Sequence, residues 1–203
     1  MALAHYYENI PGWFDFDDLY RRAVKTCTRN VGASTFVEVG TFLGRSLAYL
    51  GVEIVNSKKP IKLVSVDHSE ILELPPAFFE NLDAAAKNMF KKCEPWEGFH
   101  VQEIIRRNMR KCVLAGLQHE SMWTDSTRAA YAFEPGSVDF VFLDAAHDYD
   151  GIKSEIQAWL PRLRKRGVIA GHDHTALFPG VKQAVDELLP GAEIVRSSFW
   201  KQT

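Results

Sequence analysis

The stretch Val37-Glu38-Val39-Gly40-Thr41-Phe42-Leu43-Gly44-Arg45-Ser46 runs from β-branched apolar residues through a glycine turn into amphipathic helical spacing. That order reads as a buried strand, a tight turn and a helix start. Glycine lets the backbone approach a ligand closely, and free N–H groups at a helix N-terminus favour an anionic or polar group there. The spacing is Glu-x-Gly-x-x-x-Gly, not the Gly-x-Gly-x-x-Gly of a dinucleotide fingerprint, and Glu38 places a carboxylate at the strand end. A carboxylate there suits a cationic ligand group better than a pyrophosphate.

Working outward, Thr35–Val39, a helix over Ser46–Ser57 and a strand over Ile61–Val66 make one βαβ unit. Upstream, Leu19–Val31 has helical spacing, with Asp15, Asp17 or Asp18 as its expected cap. Residues 69–100 read as an insertion, broken at Pro75-Pro76 and again at Pro95-Trp96-Glu97-Gly98, with helical spacing over Phe78–Lys92. Beyond it the pattern predicts a helix over Gln102–Leu117, a short strand over Ser121–Thr124 and an apolar strand over Val138–Leu143. A helix over Tyr149–Leu163, a strand over Gly167–Ala170 and a helix from Pro179 to about Leu189 follow. Ala192–Val195 and Phe199–Lys201 close the chain as a hairpin. The expected fold is α/β: a doubly wound, mostly parallel seven-stranded sheet with a C-terminal antiparallel hairpin. Residues 1–203 form one domain in this reading; Trp13, Phe14, Phe78, Phe79, Trp96 and Phe99 read first as packing segment 1–18 and the insertion onto the domain, with a mobile lid built from both segments as the alternative.

Composition narrows the class. The chain has 203 residues, 46% hydrophobic and 25% charged, with a formal net charge of -2, which fits one globular domain with a sizeable core. The basic runs at 106–111 and 162–166 read as solvated helix faces, so a nucleic-acid partner is not expected. Cys27, Cys93 and Cys112 lack metal-site spacing and are odd in number, which argues against a disulfide framework and for a reducing, cytoplasmic setting. No stretch is long enough to span a bilayer, so no membrane partner is expected. A homo-oligomer is left open.

Ligands of open α/β sheets bind beyond the carboxyl ends of the strands. Here those ends read Glu38 to Gly40, Asp67, Asp125, Asp144 and His172 to His174, nearly all polar although the strands before them are apolar. Glu38 and the glycine turn, Asp67 after strand two and Asp125-Ser126 after strand three together resemble class I S-adenosylmethionine-dependent methyltransferases. The resemblance implies that the turn, with Gly40, Thr41, Phe42, Gly44 and Ser46, accommodates the methionine part of the cofactor. It further implies that Asp67, beside His68, takes the ribose hydroxyls and that Asp125 and Ser126 meet the adenine. A carboxylate offers two acceptors to two vicinal donors, which suits the ribose role.

Phe142-Leu143-Asp144-Ala145-Ala146-His147-Asp148-Tyr149 and Gly167-Val168-Ile169-Ala170-Gly171-His172-Asp173 carry a closer likeness. They resemble the small-molecule O-methyltransferases related to macrocin-type sugar methyltransferases and cephalosporin-hydroxylase-like proteins. Ile10-Pro11-Gly12-Trp13-Phe14 and Pro179-Gly180-Val181-Lys182 extend the match over most of the chain. The likeness implies that Asp144, which also borders the cofactor, and Asp173 hold a divalent metal, with His147 as the base. His172 stands where the metal-dependent sugar enzymes have an acid. Two carboxylates alone suit Mg2+, whereas His172 or His174 as a further ligand points to a transition metal such as Fe, Mn or Zn.

The chemistry is consistent with these assignments. Methyl transfer from a sulfonium is an in-line displacement, so a hydroxyl of a small-molecule acceptor must be held close and lose a proton. Two other classes remain: a nucleotide-dependent oxidoreductase on a similar sheet, disfavoured by the glycine spacing, and a non-catalytic S-adenosylmethionine-binding protein.

Overall fold

In the computed structural model, which describes residues 2–68, 84, 87, 88 and 101–203, side chains alternate between two buried faces along the central strands. On β1 (Ser34–Val39), Phe36 packs into one apolar cluster while Val37 and Val39 pack into a second. Phe140 and Phe142 on β4 (Val138–Leu143) join the first cluster, and Val141 and Leu143 the second. Such strands read as continuous apolar runs because helices cover both faces of the sheet.

The remaining strands are β2 (Ile61–Asp67), β3 (Gln118–Trp123), β5 (Leu163–Gly171), β6 (Glu193–Val195) and β7 (Ser198–Gln202). They form one seven-stranded sheet in the order β3-β2-β1-β4-β5-β7-β6. The first five run parallel, and β7 pairs antiparallel with both β5 and β6. The doubly wound sheet and its closing hairpin are therefore as expected. Helices α1 (Asp17–Thr26), α2 (Arg45–Ser57) and α3 (Val101–Leu114) cover one face. The other face is covered by α4 (Ser126–Ala130), α5 (Tyr149–Trp159) and α6 (Pro179–Leu188). Among the described residues no helix is long and apolar enough to cross a membrane.

Boundaries differ from expectation where polar groups override periodicity. Helix α1 stops at Thr26, where Lys59 Nζ takes the carbonyls of Val24 (2.7 Å) and Lys25 (3.0 Å). Its N-cap position is Phe16, without a side-chain cap; Asp18 Oδ1 accepts from the Leu19 N–H at 3.0 Å instead. Strand β3 starts three residues before the expected Ser121, because an edge strand tolerates polar Gln118, His119 and Glu120. The short α4 was not expected, nor was the early start of β5 at Leu163. That start is a bulge: Val138 pairs with Leu163 and Phe140 with Val168. It brings Arg164 to the fully buried Asp139, which also accepts two 2.9 Å bonds from Arg29 Nε and one from the Thr35 N–H. This ion network locks the end of the sheet opposite the polar strand termini. The expected insertion, with Phe78, Phe79, Cys93, Trp96, Phe99 and His100, lies outside the described residues apart from positions 84, 87 and 88.

Candidate active site

The parallel registers Val39↔Val66 and Val39↔Leu143 bring the ends of β1, β2 and β4 to one edge. Gly40 follows β1 at φ +81°, and a Cβ there would lie 2.3 Å from the Asp144 carbonyl oxygen. The sequence assigned this glycine to close approach of a ligand. The structure adds a different demand: the backbone of the turn after β4 fills the space, held by the Asp144 N–H on the Val39 carbonyl at 2.9 Å. Gly44, at φ +85°, occupies the N-cap of α2 and leaves that helix end without a side-chain cap.

Glu38 lies beneath the turn, 1% exposed. Tyr20 Oη donates to one of its oxygens and Ser46 Oγ to the other, both at 2.7 Å. Burial raises its pKa to about 8, against the opposing pull of these two hydroxyls. Its carboxyl is thus committed to joining α1 and α2 to β1, and Ser46 points inward with it. Asp67, at the end of β2, holds the turn from the other side: its Oδ2 accepts from the Phe42 N–H at 2.7 Å and from Thr41 Oγ1 at 3.2 Å. Burial raises the Asp67 pKa, and the Phe42 N–H opposes this. Phe42 itself sits at φ +48°.

Asp125 caps α4, accepting from the Arg128 N–H at 3.0 Å and from the Thr127 hydroxyl; the latter bond leads in holding its pKa down. His68 Nε2 lies 3.8 Å from its Oδ2. Ser126, however, is buried and accepts from Trp159 Nε1 at 3.1 Å, so its hydroxyl faces the interior and not the edge. Sequence reasoning also passed over Glu155 on α5, 4% exposed, which burial shifts up to about 7. It receives hydrogen bonds from Ser126 and the Ala146 backbone, and its Oε2 is buried without a partner.

A second polar group lies beyond β4 and β5. His147 Nε2 is 2.9 Å from Asp173 Oδ2, and the Asp173 hydrogen bond is the first cause of the raised His147 pKa. His172 Nδ1 lies 3.0 Å from Asp173 Oδ1 and 3.6 Å from Asp144 Oδ1. Burial raises the Asp144 pKa, with His172 opposing. Burial alone would lower the His172 pKa, but the bonds to Asp144 and Asp173 outweigh it and bring it to about 10. Asp173 is held well below the usual carboxylate range by His147 and His172, against the opposite effect of burial.

One candidate metal grouping differs from the expected one. Ligand atoms of Asp144, His147 and Asp173 lie within 4.8 Å of one another. The expected set had His172 in place of His147. His172 is engaged through both ring nitrogens, with Asp15 and Ser197 on Nε2 and Asp173 on Nδ1, so neither nitrogen is open to a metal. His174 turns to Asp186 at 2.9 Å. Asp15 and Ser197 had no signal in the sequence beyond an acidic stretch ahead of a helix and a turn between two short strands. His5 pairs with Glu53 and stacks on Tyr49, and His119 is half-buried beside Ser65 with its pKa lowered by burial to about 4, so both serve packing.

A family model described as a methyltransferase domain matches residues 37–174, from β1 to just past β5. The chain belongs to this methyltransferase family. Solved structures similar to this methyltransferase include the O-methyltransferase NovP, 16% identical over 92% of this chain and 78% of that chain, with a TM-score of 0.62. An O-methyltransferase from Bacillus cereus in complex with S-adenosylhomocysteine is 16% identical over 100% and 84% of the two chains, with a TM-score of 0.59. Apo CalS11, a TDP-rhamnose 3′-O-methyltransferase of calicheamicin biosynthesis, is 13% identical over 92% and 78%, with a TM-score of 0.57. At these identities the likeness is one of fold. No curated protein matches the sequence. Family and fold make the chain an S-adenosylmethionine-dependent methyltransferase.

Proposed function

We propose that this methyltransferase acts on a hydroxyl of a small molecule, with His147 as the base that takes the hydroxyl proton. The observation that carries the reading is the 2.9 Å approach of His147 Nε2 to Asp173 Oδ2 at the carboxyl edge of the sheet. A carboxylate on Nε2–H selects the tautomer whose Nδ1 lone pair accepts a proton. Engagement of Asp173 by two imidazoles keeps that acid ionised for the task, against the effect of burial.

The donor set fits the cofactor. Asp67 offers a half-buried carboxylate for the ribose hydroxyls while its Oδ2 fixes the glycine turn. Asp125 is the adenine partner in this reading, since the Ser126 hydroxyl is turned inward. The turn from Gly40 to Gly44 borders the methionine part, and Glu38 acts beneath it by fixing Tyr20 and Ser46. Bound there, S-adenosylmethionine would supply a methyl group whose bond to the sulfonium sulfur breaks as the bond to the hydroxyl oxygen forms, leaving S-adenosylhomocysteine. His147 would take the hydroxyl proton, and Asp173 would stabilise the resulting imidazolium.

A second reading of the cluster rests on the 4.8 Å grouping of Asp144, His147 and Asp173. Two carboxylates with one imidazole fit a transition metal better than Mg2+, and an ion there would lower the hydroxyl pKa. His147 would then be a ligand and not the base. We assign the acceptor to small molecules, a reading supported by the TDP-rhamnose named for CalS11, the cell compartment to the cytoplasm and the lid to segment 1–18 with residues 69–100. Calorimetry with S-adenosylhomocysteine and with NAD tests the cofactor: binding of NAD alone would revive the oxidoreductase class. Methyl transfer across a panel of sugar and phenol hydroxyls, before and after EDTA, tests the rest. Activity unchanged by chelation supports His147 as base; activity lost to EDTA and restored by Mn2+ or Fe2+ supports the ion.

A further inference from the structure

Asp15, from the segment ahead of α1, reaches the cluster beyond β5 across 157 positions of sequence. Its Oδ1 lies 3.0 Å from His172 Nε2. Ser197 Oγ, in the turn between β6 and β7, donates to Asp15 Oδ2 at 3.2 Å and lies 2.9 Å from the same ring nitrogen. Arg196 donates to the Asp15 carbonyl and lies 3.7 Å from Asp17 and 3.4 Å from Asp18. On the far side of the ring, His172 Nδ1 meets Asp173 Oδ1 at 3.0 Å, and Asp173 Oδ2 meets His147 Nε2 at 2.9 Å. Each oxygen of Asp173 thus serves one imidazole. An unbroken chain runs from Asp15 through His172 and Asp173 to His147.

The His172 ring has little freedom within this chain. Both nitrogens are engaged, and the buried Phe16 lies against it with centroids 5.0 Å apart. Asp173 sits at φ +62°, a left-handed conformation that a non-glycine residue adopts at a cost of about 1–3 kcal/mol when its surroundings hold it there. The segment carrying Asp15 is tied at its other end to the glycine turn: Arg45 Nη1 donates to the Ile10 carbonyl at 2.8 Å, and the Trp13 and Phe42 rings lie 6.1 Å apart.

We propose that Asp15 and His172 are positioning residues for His147: the segment ahead of α1 sets the orientation of the base through His172 and Asp173. This rests on the reading of His147 as the base. The plainer account is that Asp15 only fastens the N-terminal segment to the sheet, in which case His147 is indifferent to it. Asp15 is 57% exposed at its side chain, so its replacement is a surface change that leaves the core intact.

The test reads the histidine ring resonances of isotope-labelled protein by NMR at one fixed pH. Wild type is compared with Asp15→Asn and His172→Gln, and with Glu53→Gln, which breaks the remote His5 pair, as control. Calorimetry with S-adenosylhomocysteine runs on the same samples. The expected result is displacement of the His147 signals by Asp15→Asn and His172→Gln but not by Glu53→Gln, with cofactor-product affinity unchanged within about twofold, under 0.5 kcal/mol. His147 signals that stay in place in both variants overturn the proposal, as does an equal displacement in the control. A more than tenfold loss of S-adenosylhomocysteine affinity in Asp15→Asn also overturns it, because the segment would then act as a cofactor clamp. Failure of the wild type to bind S-adenosylhomocysteine strikes the functional reading instead, and is seen separately from the ring signals.

Discussion

Replacing Gly40 by alanine separates two demands that share one glycine. Gly40 and Gly32 have the same φ of +81°, but a Cβ at Gly32 meets nothing within 4 Å, whereas at Gly40 it would lie 2.3 Å from the Asp144 carbonyl oxygen and 2.7 Å from the Ala145 nitrogen. Left-handed backbone alone costs an alanine about 1–2 kcal/mol, and Gly32→Ala should lose only that. Gly40→Ala must also push the turn after β4 away from β1. Overpacking of that kind costs about 1–3 kcal/mol, and loss of the hydrogen bond from the Asp144 N–H to Val39 about 1 kcal/mol more. The expected total is about 3–6 kcal/mol, a large part of the roughly 5–15 kcal/mol that stabilises a domain. Urea denaturation of both variants measures the difference. Equal destabilisation of Gly32→Ala and Gly40→Ala would refute the claim that close approach of the β4 turn, and not only the turn conformation, requires glycine at position 40.

Stability should also depend on Glu38. Burial raises its folded pKa from 4.5 to about 8, so the folded state binds this proton more tightly, and the contribution is full below pH 4.5 and lost as pH rises through 8. Glu38→Gln should flatten the fall in stability across that window; parallel wild-type and mutant profiles in urea would contradict it. Asp67→Ala should weaken S-adenosylhomocysteine binding by about 1–3 kcal/mol through loss of charge-assisted hydrogen bonds, and calorimetry showing equal affinity would remove Asp67 from the ribose site. Asp139→Ala should cost about 3–5 kcal/mol, as expected for removing one partner of a buried ion network. By contrast, breaking the exposed Lys62–Glu120 pair should cost under about 1 kcal/mol, and thermal melts that rank the two the other way would contradict the account.

Most of the sheet was legible because both faces of β1 and β4 are covered, which writes Phe36-Val37 and Phe140–Leu143 as apolar runs leading to Glu38 and Asp144. Edge strand β3 was cut short because solvent on one side permits Gln118-His119-Glu120. Arg164, Lys165 and Arg166 hid the start of β5, since Arg164 answers to the buried Asp139 and the bulge there is one that no local pattern records. The strand-end carboxylates could be named from their positions. Their partners could not: Tyr20 on Glu38, Asp15 on His172 and Glu155 beside Ser126 come from elements brought together only by folding. The same limit explains the exchange of His172 for His147 in the candidate metal grouping, because His147 after β4 and His172 after β5 are distinguished by which ring has both nitrogens already engaged.

The most direct test follows labelled methyl from S-adenosylmethionine to the hydroxyl that the acceptor panel identifies, in wild type and His147→Ala. The account predicts that turnover falls by about a hundredfold or more for loss of a general base, while S-adenosylhomocysteine affinity stays within about twofold. Methyl transfer by His147→Ala at the wild-type rate would contradict it.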